Sequence, residues 1–235
     1  MKTAIFQYYK AKDKVPDSVR IVTSRFKRYA DAIGADYIFD DECNNTENVY
    51  FENLRVVYDE MFDQYDKVLY ADTDIVVENF EENIFDEDIK EIGMVPEIVL
   101  SGMCDLPFHT FPHIELEYRS WASRFSIPIY KPTLGPGSYL MLNSGIIVWT
   151  KKGREKAKKR FMDWQQWHNT VTHRHLKLDQ PYINGQVQKH LQYTELPSKW
   201  NMYPRTRFKS GLEPKEINFV HYTGGKKEWI GDLYE

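Results

Sequence analysis

The stretch Lys67-Val68-Leu69-Tyr70-Ala71-Asp72-Thr73-Asp74-Ile75-Val76-Val77 places two aspartates inside an otherwise apolar run. Residues 67–71 predict a short buried strand that ends at the first carboxylate. An unpaired carboxylate is costly to bury, so we expect Asp72 and Asp74 to face a polar site at the end of that strand. A second D-x-D, Asp86-Glu87-Asp88, lies in an acidic stretch that favours a solvated surface.

Strands and helices alternate on the N-terminal side of this stretch. Residues 4–6 and 37–39 are typical of strands, and Pro16 opens an apolar helical pattern that ends at Gly34. Residues 51–65 carry apolar side chains at steps of three and four, which predicts a second helix. This alternation predicts parallel pairing through right-handed crossovers, so about residues 1–80 have the pattern of the nucleotide-binding half of an α/β sheet.

The rest of the chain continues the α/β pattern after a Pro- and aromatic-rich segment of weak periodicity, residues 97–137. The predicted elements are a strand over 141–149, a helix over 154–167, a helix entered through the capping segment Asp179-Gln180-Pro181, and a last strand over 217–220. No repeat or linker divides the chain. We therefore expect one domain over residues 1–235, with about 97–235 forming its C-terminal half.

The composition excludes several classes of protein. The chain has 235 residues and a net charge of −4, and 42% of its residues are apolar, which excludes general disorder and gives no broad attraction to nucleic acid. No run approaches the roughly 18 apolar residues of a membrane span. Two cysteines do not form a disulfide framework, so a reducing, cytoplasmic location is expected, with attachment to a membrane surface left open. The basic run 151–160 favours a surface helix with solvated lysines over a phosphate or membrane site.

Two segments offer ligands for a metal and a phosphate. Carboxylates two positions apart, as in Asp72 and Asp74, suit hard divalent cations such as Mg²⁺ or Mn²⁺. His221 ends a predicted strand and can add a nitrogen ligand to the same ion. The turn that follows contains Gly224-Gly225-Lys226-Lys227, whose backbone N–H groups and lysines suit phosphate oxygens.

Two further segments carry side chains that suit a hydroxyl-rich ligand. Asn143-Ser144-Gly145 and Asp179-Gln180 have the donors and acceptors that such a ligand needs. Each pattern is weak alone, because the first is common in turns and Asp179 could serve only as a helix cap.

The order of these segments resembles glycosyltransferase family 8, the group of glycogenin and the lipopolysaccharide galactosyltransferases. That family has a hydrophobic strand ending in D-x-D, then an Asn-(Ala/Ser)-Gly strand, an Asp-Gln segment before a helix, and a C-terminal H-x-x-G-x-x-K-P-W. Here these correspond to residues 69–74, 143–145, 178–180 and 221–229. The resemblance covers the chain from about Arg55 onward and implies a GT-A fold, a Rossmann-like α/β domain with a mixed, mostly parallel sheet flanked by helices.

The resemblance implies a role for each matching residue. Asp72, Asp74 and His221 would bind Mn²⁺ (or Mg²⁺), and Gly224 and Lys227 would hold the diphosphate. The implied contacts to the nucleotide-sugar and the reaction centre come from Arg55, Asn143, Asp179 and Gln180, with Tyr8 or Tyr9 stacking on uracil. Two positions depart from the family pattern, since Glu228 replaces the motif's proline and Pro181 replaces an acidic residue.

These observations predict a metal-dependent transferase that moves a hexose from a UDP-sugar to a hydroxyl of a glycan, glycolipid or glycoprotein. The resemblance implies retention of anomeric configuration. The residues alone leave open whether the acceptor attacks the face from which UDP leaves, or whether Asp179 or Gln180 forms a covalent intermediate. A sugar-phosphate nucleotidyltransferase and a non-catalytic nucleotide or carbohydrate binder are the alternatives. No nucleic-acid partner is expected, and the sequence gives no oligomeric state.

Overall fold

Two sheets organise the computed structural model, which describes residues 1–10, 14–41, 48–96, 142–171, 177–207, 210–224 and 227–234. The strands are β1 (Thr3–Tyr8), β2 (Asp36–Asp40), β3 (Lys67–Ala71), β4 (Ile75–Val77), β5 (Ile92–Pro96), β6 (Leu142–Thr150), β7 (Tyr193–Glu195) and β8 (Phe219–His221). Six of them form the central sheet in the order β2-β1-β3-β6-β5-β7, and β4 pairs with β8 in a small second sheet. The predicted segment 97–137 lies outside the described residues.

The central sheet is mixed and mostly parallel. β1 runs parallel to β2 and to β3, and β7 runs parallel to β5. β6 is antiparallel to both of its neighbours, β3 and β5. Five strands therefore share one direction and β6 opposes them, which confirms the predicted α/β class.

Helices cover both faces of the sheet. They are α1 (Asp17–Ile33), α2 (Arg55–Tyr58), α3 (Lys151–Arg160), α4 (Trp164–Thr170), α5 (Asp179–His190) and α6 (Trp229–Tyr234). Alternation along the strands builds two apolar layers: Phe6 and Tyr70 belong to one, Ile5 and Leu69 to the other. Among the described residues, no helix has the length and apolar character needed to cross a membrane.

The first predicted helix is confirmed at both ends. α1 follows Pro16 and is closed by Gly34, whose φ of 70° is a left-handed conformation that glycine adopts without strain. Val22, Phe26 and Ala30 are fully buried on its apolar face.

The continuous helix predicted over 51–65 is wrong. The chain forms a 3-10 helix at Val49–Leu54, the single turn of α2, and a second 3-10 helix at Glu60–Phe62. Asp59 breaks the run because its backbone is extended (φ −82°, ψ 124°) and its side chain accepts a hydrogen bond from the N–H of Met61. The apolar positions Phe51 and Val57 are nevertheless buried, so the pattern located the core face but not the helix.

The helix predicted over 154–167 is two helices. α3 ends at Arg160, and Asp163 caps the separate helix α4 by accepting from the N–H of Gln166. Asp179 was expected as a cap, yet Leu178 holds that position and Asp179 is the first residue of α5.

The basic run of α3 is a surface helix, but several of its charges hold it in place. Lys152 and Lys156 pair with the buried carboxylate of Glu91 at 3.2 and 2.9 Å. Arg154 is only 2% exposed, and its guanidinium donates to the carbonyls of Phe62 and Tyr65. The prediction of fully solvated charge therefore applies to only part of the run.

α3 packs so closely on β5 that one of its positions has no room for a side chain. A Cβ added at Gly153 would lie 1.9 Å from the carbonyl oxygen of Glu91, whereas one added at Gly231 in α6 would meet no atom within 4 Å. Glycine at residue 153 is thus a packing requirement.

We predict that Gly153→Ala and Gly231→Ala change stability in opposite directions. Alanine stabilises a helix over glycine by about 0.5–1 kcal/mol when nothing obstructs it, so Gly231→Ala raises the free energy of unfolding. Gly153→Ala lowers it by about 1–3 kcal/mol, because α3 must move away from Glu91. Urea unfolding of both variants measures the difference, and equal effects would contradict the described packing.

Candidate functional site

Asp72 lies at the carboxyl end of β3, beside the start of the antiparallel strand β6. Its N–H donates to the carbonyl of Gly145 at 2.9 Å, and the Tyr70 hydroxyl donates to its Oδ1 at 2.6 Å. The Gln7 side-chain amide donates to the carbonyl of Asp72 at 3.2 Å. The ends of three neighbouring strands therefore orient this carboxylate.

Asp74 and His221 are brought together by the small β4–β8 sheet. Ile75 pairs with His221, and the N–H of Tyr222 donates to the carbonyl of Asp74 at 2.8 Å. In this register the His221 Nε2 atom lies 3.2 Å from Asp74 Oδ1. Asp72, Asp74 and His221 each offer one ligand atom, and these atoms all lie within 4.8 Å of one another.

Asn201 sets the orientation of the His221 ring. The Asn201 side-chain amide donates to Asn143 Oδ1 at 2.7 Å, which leaves its Oδ1 as the acceptor 2.9 Å from His221 Nδ1. His221 Nδ1 therefore carries a proton, and Nε2 faces Asp74, to which a charged ring donates and beside which a neutral ring offers a lone pair. Asn201 is fully buried, so water does not compete for its hydrogen bond with His221.

The absence of a side chain at Gly145 makes room for this ring. A Cβ at Gly145 would lie 2.6 Å from His221 Cε1 and 3.0 Å from Asn143 Oδ1. The Gly145 N–H donates to Asn143 Oδ1 at 2.9 Å, so the backbone of β6 supports the same network. The Asn-Ser-Gly segment thus acts on the site through its glycine as well as its asparagine.

The pKa values of the two carboxyls diverge. Burial and the nearby charge of Asp74 raise the pKa of Asp72 to about 7. Burial would also raise the pKa of Asp74, but His221 and Lys227 hold it below its usual value. The Lys227 ammonium lies 3.0 Å from Asp74 Oδ2, and Asp74 in turn raises the pKa of Lys227 against the effect of burial.

These residues fit a divalent cation. Two carboxylates and an imidazole form a donor set suited to Mg²⁺ or Mn²⁺. The buried Asp74 Oδ1 lies 3.2 Å from His221 Nε2 and has no other hydrogen-bond partner within the described part of the chain. A buried carboxylate oxygen this close to an imidazole nitrogen needs either the proton of a charged ring or a cation between the two atoms.

Asp179 and Gln180 lie at the start of α5 and contact the opening of β6. The Asn53 amide donates to Asp179 Oδ2 at 2.7 Å, and Gln180 Oε1 accepts from the N–H of Ser144 at 3.1 Å. Burial raises the pKa of Asp179 to about 6, although hydrogen bonds from Ser144 and Asn53 act in the opposite direction. Both residues therefore lie at the edge of the sheet where the ligand cluster lies, and their predicted roles stay predictions.

Three predicted contact residues have partners inside the protein. Asn143 is 5% exposed, and besides its two acceptor bonds it donates to the Tyr203 hydroxyl at 3.1 Å. Arg55 pairs with Asp40 at 2.6 Å, and with Glu52 and Asp59 at longer range. Tyr8 lies beyond the predicted strand 4–6, but it is the last residue of β1 and is 7% exposed.

Gly224 follows β8 in a left-handed conformation with φ of 65°, which favours glycine. Gly225 and Lys226 of the predicted phosphate turn lie outside the described residues. The roles predicted for Tyr8, Arg55, Asn143 and Gly224 stay predictions.

Sequence reasoning missed the residues that support the ligands. Gln7, Asn53 and Asn201 belong to no motif, and their contacts are made to partners remote in sequence. The sequence gives one weak signal for Asn201, which is a polar residue between two apolar residues, Trp200 and Met202. Both neighbours are buried.

Solved structures with this fold are glycosyltransferases. A glycosyltransferase involved in the glycosylation of the major capsid of PBCV-1 is 13% identical with a TM-score of 0.65, covering 99% of this chain and 100% of that one. An active-site Gln-to-Glu mutant of LgtC is 13% identical with a TM-score of 0.52, covering 98% and 94%. The apo-form of GlyE from Streptococcus pneumoniae TIGR4 is 15% identical with a TM-score of 0.55, covering 97% and 56%.

The class defined by the fold and the site is that of a glycosyltransferase. The family model described as Glycosyl transferase family 8 matches residues 7–232, so the chain belongs to glycosyltransferase family 8. This confirms the resemblance and the GT-A fold expected from the motifs. A comparison with curated protein sequences gives no match.

We predict that Asn201→Leu releases the His221 ring from its single tautomer. The buried polar atoms of Asn143 and His221 each lose a hydrogen bond, which lowers the free energy of unfolding by about 1–3 kcal/mol. Urea unfolding measures this loss, and long-range ¹H–¹⁵N correlation of the ring nitrogens reports the tautomer.

Asn218→Leu is the matched control. Asn218 is also fully buried, but neither polar atom of its side chain has a hydrogen-bond partner in the described ranges. The same replacement there should cost little or stabilise the fold, and it should leave the His221 spectrum unchanged. An unchanged tautomer in Asn201→Leu would contradict the positioning role.

Proposed function

We propose that this chain transfers a hexose from a UDP-sugar to a hydroxyl of a glycan, glycolipid or glycoprotein, with a divalent cation, Mn²⁺ or Mg²⁺, at Asp72, Asp74 and His221. The single observation that carries the proposal is the convergence of these three ligand atoms within 4.8 Å at the carboxyl end of β3. Open α/β sheets bind their ligands at this edge. The metal, when bound, would neutralise charge on the diphosphate of the departing UDP.

Lys227 and Gly224 would receive the diphosphate on the side of Asp74. Lys227 lies 3.0 Å from Asp74 Oδ2 and is 56% exposed, so its ammonium can turn to a phosphate once a cation shares the carboxylate. Gly224 adopts a left-handed backbone and has no side chain, so the turn leaves room where a phosphate would approach. Lys227 would add positive charge, and Gly224 would leave room for a backbone approach, where negative charge develops on the leaving group.

Asp179 and Gln180 would line the reaction centre. With a pKa of about 6, the Asp179 carboxyl is mostly ionised at neutral pH and can stabilise positive charge at the anomeric carbon or attack it. Gln180 faces the same edge through its bond to Ser144, and the LgtC structure in the comparison is an active-site mutant at a glutamine. Family membership supports retention, which both a same-face attack and a covalent intermediate would give.

The nucleotide would bind at the ends of β1 and β2. Tyr8 ends β1 opposite Asp40 of β2, and Asp40 holds the guanidinium of Arg55 at 2.6 Å. We propose that Tyr8 contacts the base and that Arg55 acts near the nucleotide-sugar with its charge balanced by Asp40. Asn143 would contact the donor sugar through the network that holds His221.

The proposed domain organisation follows from the same family match. Residues 1–235 would form one GT-A domain, with the nucleotide half in about 1–80 and the acceptor and diphosphate half in about 97–235. The model of the family spans both halves, since it covers residues 7–232.

We predict that UDP raises the melting temperature only when Mn²⁺ is present. At UDP concentrations 100-fold above Kd the gain is about 2.7 kcal/mol, or roughly 5–10 °C for a chain of this size. Asp74→Asn should abolish the shift, because it removes a charged ligand from the cluster. Asp88→Asn is the matched control, since it lies in the second, exposed D-x-D and should keep the full shift.

Product analysis separates the proposal from its alternatives. When the protein is incubated with Mn²⁺ and a panel of UDP-sugars, slow hydrolysis of the donor should release UDP. The natural donor should be hydrolysed fastest. A UDP shift without UDP release from any donor would indicate a binder, and release of pyrophosphate from UTP and a sugar phosphate would indicate a nucleotidyltransferase. A UDP shift that is the same without metal would refute the assigned cation site.

A further inference from the structure

A cavity away from the ligand cluster is lined by one tryptophan and several uncharged polar side chains. Its volume is about 410 Å³, within the roughly 300–1,000 Å³ of small-molecule sites. The residues that line it are Asn48, Trp164, Gln165, His168 and Asn169. Four of them come from α4, where steps of three and four place residues on one side of a helix.

Aromatic rings form the floor of the cavity, and exposed amide side chains stand at its rim within the described ranges. Phe51, which is 1% exposed, stacks on Trp164 with ring centroids 4.6 Å apart and an angle of 21° between the rings. His168 meets the same two rings edge-on, at 6.5 Å from Phe51 and 6.4 Å from Trp164. Trp164 and His168 are half-buried, whereas Gln165 and Asn169 are exposed. An aromatic wall is therefore held in place while amide groups stand at the opening.

This lining suits a neutral sugar. Sugar rings present apolar C–H faces that pack on aromatic rings, and hydroxyl groups that pair with the donors and acceptors of Asn, Gln and His. Among the described residues, the lining has no lysine or arginine to pair with a phosphate and no carboxylate to bind a cation.

One short 3-10 helix connects this cavity to the reaction centre. Asn48 lines the cavity and caps the helix Val49–Leu54 by accepting from the N–H of Tyr50, and Asn53 near the other end donates to Asp179 Oδ2. A 3-10 helix rises about 2 Å per residue, so Asn48 and Asn53 are separated by about 10 Å along it. The stacking of Phe51 on Trp164 ties α4 to the same helix.

We propose that this cavity is an acceptor subsite that binds an uncharged oligosaccharide, at sugar units remote from the hydroxyl that receives the hexose. This rests on the proposed function, because it takes the acceptor to be a glycan. Binding remote units at a fixed distance from Asp179 would orient the reacting hydroxyl, and orientation of this kind contributes to catalysis.

The test measures binding of neutral oligosaccharides without any donor. Maltotriose, lactose and mannotriose are titrated against the full chain by saturation-transfer difference NMR. We expect at least one to bind, and Gln165→Ala/Asn169→Ala to weaken it by about fivefold or more through lost hydrogen bonds. Both side chains are exposed, so the fold should tolerate their removal.

Gln166→Ala is the matched control, since Gln166 is an exposed glutamine of the same helix outside the cavity. It should bind the oligosaccharide like the original chain. The proposal is overturned if no probe binds, if Gln165→Ala/Asn169→Ala binds as tightly as the original chain, or if Gln166→Ala weakens binding equally.

A failed subsite is distinguishable from a failed transferase. The Mn²⁺-dependent UDP shift and the slow release of UDP to water involve no acceptor, so the cavity variants should leave both unchanged. If UDP never shifts the melting temperature but the oligosaccharide binds through Gln165 and Asn169, the cation proposal fails and the sugar site stands.

Discussion

One backbone register, Ile75 opposite His221, joins the two parts of the site that are far apart in the chain. A slip by one residue would turn the imidazole to the other side of β8, because successive side chains point to opposite faces. Strands of three residues make few hydrogen bonds with each other, and β8 is also bonded on its other side, where the N–H of His221 donates to the carbonyl of Met202 at 2.8 Å. The ring of Phe219 adds to this hold, since it packs against Phe26, Tyr29 and Trp200 at 5.2–5.3 Å between centroids. Backbone bonding and aromatic packing together therefore fix the position of His221.

The fold class and strands β1, β2, β3, β6 and β8 could be predicted from the sequence because they depend on local apolar runs and on the order of elements. Strands β4, β5 and β7, of three to five residues, were not predicted. Helix α1 could also be predicted, because a proline precedes its first residue and a glycine follows its last. The two interrupted helices could not, because Asp59 and Asp163 each compete for backbone N–H groups. The spacing of apolar residues shows which face of a segment is buried. A capping aspartate at a polar position interrupts the helix without changing that spacing.

The candidate ligands could also be predicted from the sequence, because charged residues next to apolar strands stand out locally. The residues that support the ligands could not be predicted. Asn201 matters because it meets His221 and Asn143, and Asn53 matters because it meets Asp179, contacts that arise only after the chain has folded. The predicted nucleotide contact Arg55 shows the opposite case, a conspicuous basic residue whose three acidic partners could not be foreseen.

The missing side chain at Gly145 has a consequence for the proposed cation site. Because the imidazole fills the space that a Cβ would take, and Asn201 holds its other edge, the ring has little freedom to rotate. The entropy of ordering the ring is lost when the protein folds and would not be lost again on binding. A cation at the proposed site would therefore meet one ligand that is already in place.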